Sequence, residues 1–339
     1  MRIGVIIGGS DCQGMNAVIR AVVKTAQVYN IEVLGYKGGF DGVIRNQFVR
    51  FSSDDISGLL DKGGSVIGTS AKCMLYDNPD NIEEYVTSIK KNMQMFDVQA
   101  IIAIGGDTTI KLCEYLNKMG INVICIPKSG CDEICCTGRN LGFMSTVDFV
   151  TACIDNLHTN AESNHHITVL EVMGDRVGTL ALEAGVAGGA DVILIPEIRY
   201  SINKVAHALL TRKNNGKNFS IVLVSEGAME VGQEKPLSNT GEVLAEKLSE
   251  LTGLPADLTV LGKLQKGGRP NAYDRILATR QGAAAVEAIR NGEFGTMVGV
   301  DGRQVYTVGL EHAVGKFKYV EENDTLVEIA RKMKVCFGD

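Results

Sequence analysis

The chain has no tryptophan and only six prolines among 339 residues, so rigid breaks are scarce and 39 glycines supply the punctuation. It lacks a basic footprint as well. Aspartate and glutamate outnumber lysine and arginine by 40 to 34, for a net charge of -6, which excludes a nucleic-acid surface of the usual electrostatic kind. No apolar run is long enough to cross a bilayer, so no membrane partner is expected. Strand-like residues begin at Ile3, with turn glycines from Gly8, and a secretory leader is not expected. The nine cysteines have no framework spacing, and some, such as Cys125, sit in apolar strand-like runs; a reducing, cytoplasmic setting is expected. Solenoid-length repeats, low-complexity segments and an evident linker are missing too. With 45% apolar and 22% charged residues, what remains is a globular chain long enough for two cores.

Hydrophobic patterning gives an α/β protein. Strands are predicted at Ile3–Ile7, Ile31–Leu34, Ala100–Ile104 and Asn122–Ile126, with helices after the first and third. The pattern restarts with a helix over Thr146–Leu157 and strands at Ile167–Val172, Val192–Ile195, Ser220–Val224 and Leu258–Leu261. Helices are predicted at Thr179–Ala187, Val205–Leu210, Glu242–Leu251, Asp274–Arg290 and Asp324–Lys334. Alternation of this kind gives parallel sheets covered by helices, and a chain that crosses between two lobes more than once.

Three glycine-bearing loops follow strands. Gly8–Asn16 joins a strand to a helix, where unpaired backbone N–H groups and the helix dipole favour an anion; a tight turn is the alternative. The loop matches neither the Walker pattern nor the dinucleotide fingerprint. In Gly105–Gly106–Asp107–Thr108–Thr109 the carboxylate suits Mg²⁺ held against phosphate, or else caps the following helix. In Pro127–Glu133, Lys128 can contact phosphate as a point charge, while Asp132 and Glu133 fit either a site or a solvated loop.

Together and in this order the loops resemble the phosphofructokinase family's GGDxPGMNA, GGDGS or GGDDT, and PKTIDND motifs. Further likenesses are Leu170–Gly174, Ala187–Asp191, Ser225–Gly227, Val260–Gly268 and Tyr273–Leu277. The resemblance implies two Rossmann-like doubly wound lobes with mainly parallel sheets and an active-site cleft between them. Residues 1–141 and about 265–314 would form the larger, phosphoryl-donor lobe; about 142–264 and 315–339 would form the sugar-phosphate lobe. It also implies a homodimer or homotetramer in which a neighbouring subunit completes the sugar-phosphate site. The implied reaction moves a phosphoryl group from ATP or pyrophosphate to fructose 6-phosphate with Mg²⁺, mainly by positioning and charge neutralisation.

Matched residue by residue, Gly9, Ser10, Gly106, Asp107 and Thr108 fall on donor positions, with Asp107 at the metal-associated carboxylate. Lys128, also on the donor side, is typical of the family's pyrophosphate users. The acceptor side departs from the family. Cys131 stands where the family has its catalytic carboxylate, flanked by Ser129, Asp132 and Glu133. A neutral thiol is a poor base for a hydroxyl, and losing a general base costs about 10²–10⁴-fold in rate. Asp132 could substitute if the loop shifted. Family arginines are replaced at Ala71, His166, Asp175 and Asp257, with Lys72 and Arg176 beside two of them; Lys263 and Lys266 stand for the His and Arg of GHIQRGG. Met173, Gly174 and Glu226 keep family sugar-contact positions. The expectation is a phosphotransferase of this family with weak or lost activity on fructose 6-phosphate, or else a non-catalytic homologue that senses nucleotide or pyrophosphate. Cys131, Cys135, Cys136, His165 and His166 lack a second ligand pair at zinc spacing, so the cysteines read as small buried hydrophobes.

Overall fold

The computed structural model describes residues 1–70 and 72–339. Among them eleven strands run in chain order: β1 (Arg2–Ile7), β2 (Glu32–Tyr36), β3 (Phe48–Arg50), β4 (Val98–Gly105), β5 (Val123–Pro127), β6 (Ile167–Val172), β7 (Val192–Leu194), β8 (Ser220–Ser225), β9 (Ala256–Val260), β10 (Thr296–Asp301) and β11 (Gln304–Gly309). The chain divides into two compact units. One comprises Met1–Ser129, Ile134–Ser145 and Lys266–Phe317; the other comprises Gly130–Glu133, Thr146–Gln265 and Lys318–Asp339.

The first unit holds a seven-stranded sheet of order β11-β10-β5-β4-β1-β2-β3, parallel except at its edges, where β11 and β3 run antiparallel. Its central strands are apolar on both faces, as helix-covered parallel strands must be. Side chains alternate. Ile3, Val5 and Ile7 face a core built with Val18, Ile19 and Val22 of the Met15–Val28 helix, together with Val286 and Ile289 of the Ala272–Asn291 helix. Ile6 faces the opposite core, with Ile89 of the Ile82–Met95 helix and Leu112 and Leu116 of the Asp107–Lys118 helix. Strand order reverses at β1: β2 lies on one side and β4 on the other, so the loops after β1 and β4 leave the same sheet edge side by side.

The second unit carries a parallel sheet of order β7-β8-β6-β9. Its core joins Val169, Val222 and Val224 to Val205 and Leu209 of the Ile202–Asn214 helix and Leu244 and Leu248 of the Thr240–Thr252 helix. Again β6 is the switch strand, and the residues that follow it begin with Met173 and Gly174.

The predicted strands all form, with boundaries that move. The helix expected over Thr146–Leu157 runs over Phe143–Asn164, and the strand expected at Leu258–Leu261 runs over Ala256–Val260. One long helix and three strands are among the elements that carry no sequence expectation. The Ile82–Met95 helix buries Val86, Ile89 and Met93, a one-sided stripe amid charged residues. β3 is a three-residue, half-buried edge strand, too short for periodicity to register. β10 and β11 form a hairpin turning at Gly302–Arg303, where Gly302 takes φ +51° as such tight turns demand.

Asp274 ties the start of one long helix to the start of another. Its carboxylate is fully buried and accepts from Gly142 N and Ser145 N at 2.8 Å each, and from Ser145 Oγ at 2.5 Å. Asp274→Ala strands those donors away from water and is expected to cost about 3 kcal/mol or more. Urea unfolding checks this. A loss below about 1 kcal/mol would mean that the contacts carry little net stability.

Candidate active site

In the first unit, β1 and β4 deliver two loops to one edge. Gly8 N donates to Ile104 O at 2.9 Å, and Gly9 N to Ser70 O at 3.0 Å. A Cβ on Gly8 or on Gly105 would run into the Thr109 side chain, so both loops lie against the helix that starts at Asp107. The Met15–Val28 helix begins after Gly14, at φ +93°, and no side chain caps it. Its first N–H groups are therefore available to an anion.

Lys128 crosses beneath the first loop. Its Nζ donates to the Ser10 carbonyl at 2.5 Å, and the residue is only 5% exposed. Burial lowers the amine below the usual lysine value; Cys12 and Asp11 oppose that shift and Lys266 adds to it. Lys266, expected with the acceptor residues, donates instead to Ser10 Oγ at 3.4 Å, so the first unit gathers two cations at the Ser10 loop. Asp107, at the first position of its helix, is favoured by the helix dipole and pairs with Lys111 at 2.7 Å. Among the described residues no cluster of three or more His, Cys, Asp or Glu could hold a metal alone. Asp107 fits Mg²⁺ as one carboxylate ligand, with phosphate oxygens and water making up the shell, the usual mode for that ion.

Beside these loops lies a cavity of about 260 Å³, extending from Gly8–Ser10 past Thr108 to Phe40, Cys73, Tyr76 and Leu112. The Tyr76 hydroxyl donates to the Thr108 carbonyl. The cavity thus joins glycine-loop backbone to aromatic and aliphatic walls. Neither Phe40 nor Tyr76 was picked out by motif reading, because each is a lone aromatic brought in from a different segment.

The second unit holds the Cys131 segment. Asp132 is fully buried, takes the left-handed conformation at φ 57°, and pairs with Lys318 Nζ at 2.7 Å; Lys318 N donates to Glu133 O at 2.8 Å. The carboxylate beside the base position is therefore committed to a structural ion pair. Lys318 could not be found from local sequence, since it lies far along the chain. After β6, Met173 N donates to Gln265 Oε1 at 3.2 Å and Gly174 N to Glu226 Oε1 at 3.1 Å. A Cβ on Gly130 would sit 3.4 Å from Met173 Cε, which places the Cys131 segment beside the β6 turn.

Two replaced positions meet. His166 Nε2 lies 3.2 Å from Asp257 Oδ2 at the amino ends of β6 and β9, off the direction that would make it a hydrogen bond. Asp175 faces solvent and reaches Arg176 at 3.7 Å. Lys263 is exposed, Ser129 donates its backbone N–H to Leu141 O at 3.1 Å in the first unit, and Ala71 lies outside the described residues.

The family model described as Phosphofructokinase matches residues 2–289. An ATP-dependent 6-phosphofructokinase 3 of Bacteroides thetaiotaomicron is 39% identical over 345 residues, spanning 100% of both chains. A pyrophosphate–fructose 6-phosphate 1-phosphotransferase of Amycolatopsis mediterranei is 37% identical over 352 residues, again spanning 100% of both. The solved phosphofructokinase of Saccharomyces cerevisiae superposes with a TM-score of 0.84 at 26% identity, covering 98% of this chain and 47% of that one. No helix among the described residues is long and apolar enough to cross a membrane.

Two substitutions separate binding from stability. Burial depresses the folded Lys128 amine, so the folded state is penalised wherever the unfolded amine is protonated, and the penalty fades as pH rises toward the ordinary 10.5. Lys128→Met is expected to melt no lower than the wild type at pH 7. Any advantage should shrink toward pH 10, while donor binding falls about tenfold or more; thermal melts with and without ATP or pyrophosphate read both effects. Lys318→Met removes the ion pair on buried Asp132 and, because the lysine is partly solvated, is expected to cost about 1–3 kcal/mol in urea unfolding.

Proposed function

The chain belongs to the phosphofructokinase family, and from that premise we propose a phosphotransferase that takes its phosphoryl group from ATP and turns over fructose 6-phosphate weakly or not at all. The donor reading is supported by the cavity that runs from the glycine loops to Phe40 and Tyr76, since pyrophosphate would leave those walls unused. Lys128 alone leans toward pyrophosphate, but its amine is buried and engaged with the Ser10 carbonyl. When bound, Mg²⁺ would neutralise phosphate charge from Asp107, and Lys266 beside Ser10 would add a second, protein-borne positive charge.

The acceptor reading rests on one observation above the others: Asp132, the nearest carboxylate to the vacant base role, is buried and held by Lys318. Moving it to the Cys131 position would break an ion pair at 2.7 Å and strip a buried charge of that partner. Cys131 would then face the sugar hydroxyl as a thiol with little drive to take its proton. The contact of His166 with Asp257 supports the same conclusion, because a carboxylate at that place repels a phosphate dianion. That pair also favours a second reading, a non-catalytic homologue that binds donor and senses it. In either case we propose a homo-oligomer, as the family resemblance implies.

The deciding assay sets ATP and pyrophosphate separately against fructose 6-phosphate, for the wild type and Cys131→Asp. The expected result is slow wild-type turnover that rises about 10²-fold or more in the variant. Wild-type turnover near 10 s⁻¹ with no gain on substitution would overturn the proposal, that rate being ordinary for enzymes. A wild type with no turnover that is still stabilised by ATP in a thermal shift would select the sensor.

A further inference from the structure

Cys135 and Cys136 are adjacent, half-buried and not in a disulfide, and their sulfurs lie 3.4 Å apart. Successive side chains on an extended strand point to opposite faces, so two neighbouring sulfurs meet only where the backbone turns. It turns at Cys136, which takes φ 59° although it is not glycine, a strained conformation that persists only where its surroundings enforce it. They do so here. Asn140 holds Ile134 through both its backbone N–H, at 2.8 Å, and its carbonyl, at 3.0 Å. The Tyr306 hydroxyl donates to the Cys136 carbonyl at 3.3 Å, and Gly138 N donates to Val300 O at 2.8 Å. Both thiols point toward the His312 carbonyl, at 3.8 and 3.5 Å.

This geometry selects among the chemistries open to two thiols. A disulfide fits poorly, because neighbouring Cα atoms stand about 3.8 Å apart and the bond prefers about 4.4–6.8 Å. Zinc fits poorly as well. It wants four ligands, and tetrahedral bonds of about 2.3 Å would hold the sulfurs about 3.8 Å apart. A single atom bonded to both sulfurs at about 2.3 Å, the length of a metal–thiolate bond, would subtend about 95° at the observed separation of 3.4 Å. That is the narrow, pyramidal angle of a trivalent centre with a lone pair.

We propose that Cys135 and Cys136 form a chelating dithiol for a trivalent thiophilic centre of the arsenous-acid class. Binding is a condensation without redox change. Each thiol proton leaves with a hydroxyl of the arsenic as water, two As–O bonds break, two As–S bonds form, and arsenic remains trivalent. Burial, with the neighbouring sulfur, pushes the Cys135 thiol up to about 11, so the group is protonated at neutral pH and slow toward alkylating agents that need thiolate. Condensation consumes those protons and has no such requirement. A second close sulfur pair, Cys113 and Cys125, is fully buried and closed to a reagent.

Phenylarsine oxide, titrated onto the folded chain and followed by native intact mass, tests the site. One adduct is expected, resistant to excess monothiol and released by 2,3-dimercaptopropanol. Cys135→Ser and Cys136→Ser should each bind about 10²-fold more weakly, since either leaves one anchor in place of two. Cys153→Ser, which changes a half-buried cysteine elsewhere, should bind as the wild type does. No adduct, an adduct kept at full strength in either of the first two variants, or one lost in Cys153→Ser would overturn the proposal. If a serine variant fails to fold by circular dichroism, the wild type decides: the arsenical bound to the folded chain should shield Cys135 and Cys136 together from maleimide added afterwards in urea, where burial no longer protects either thiol, as read by peptide mapping. Shielding of any other cysteine instead overturns it.

Discussion

The ladder between β1 and β4 is the constraint from which the first unit's chemistry follows. Ile3–Ile7 lie in unbroken parallel register with Ala100–Ile104, and Gly8 N extends the ladder by donating to Ile104 O. Parallel strands leave a sheet in the same direction, so both glycine loops emerge at one edge, just beyond the last ladder bond. Everything at that edge is then a matter of fitting side chains around exposed backbone. Thr109 packs where glycine alone leaves room, Lys128 threads beneath Ser10, and Asp107 sits where the helix dipole favours its charge.

Charge is treated differently in the two units. In the first, two lysines lie near Ser10 although burial works against one of them, an arrangement that costs free energy unless an anion arrives. In the second, the buried carboxylate of Asp132 is already matched by Lys318. A poised site keeps uncompensated charge for its ligand, and a satisfied one has less to offer. That contrast separates the Ser10 loop from the Cys131 segment.

Much of this was legible in the sequence wherever the signal was local. The strands around Ile3–Ile7 and Ala100–Ile104 announced themselves as continuous apolar runs, and the loops after them as glycine clusters. The cysteine at position 131 was visible as a departure from a motif. What escaped was non-local. Lys318 meets Asp132 only after the chain has passed through most of the second unit, and no spacing rule links them. Lys266 belonged by motif to the acceptor set, yet its amine reaches Ser10. Phe40 and Tyr76 became cavity walls only through folding. The Ile82–Met95 helix is a different kind of miss, since Val86, Ile89 and Met93 carried its period in plain sight.

The contact between His166 and Asp257 also bears on how such a chain can change. Because the two side chains touch, their positions are not independent letters. An arginine arriving at 166 alone would find a carboxylate waiting to neutralise it. One arriving at 257 alone would take from His166 its acidic neighbour and place two potential cations together. Placing a fixed cation at both positions therefore takes two substitutions, and each alters what the other side chain meets.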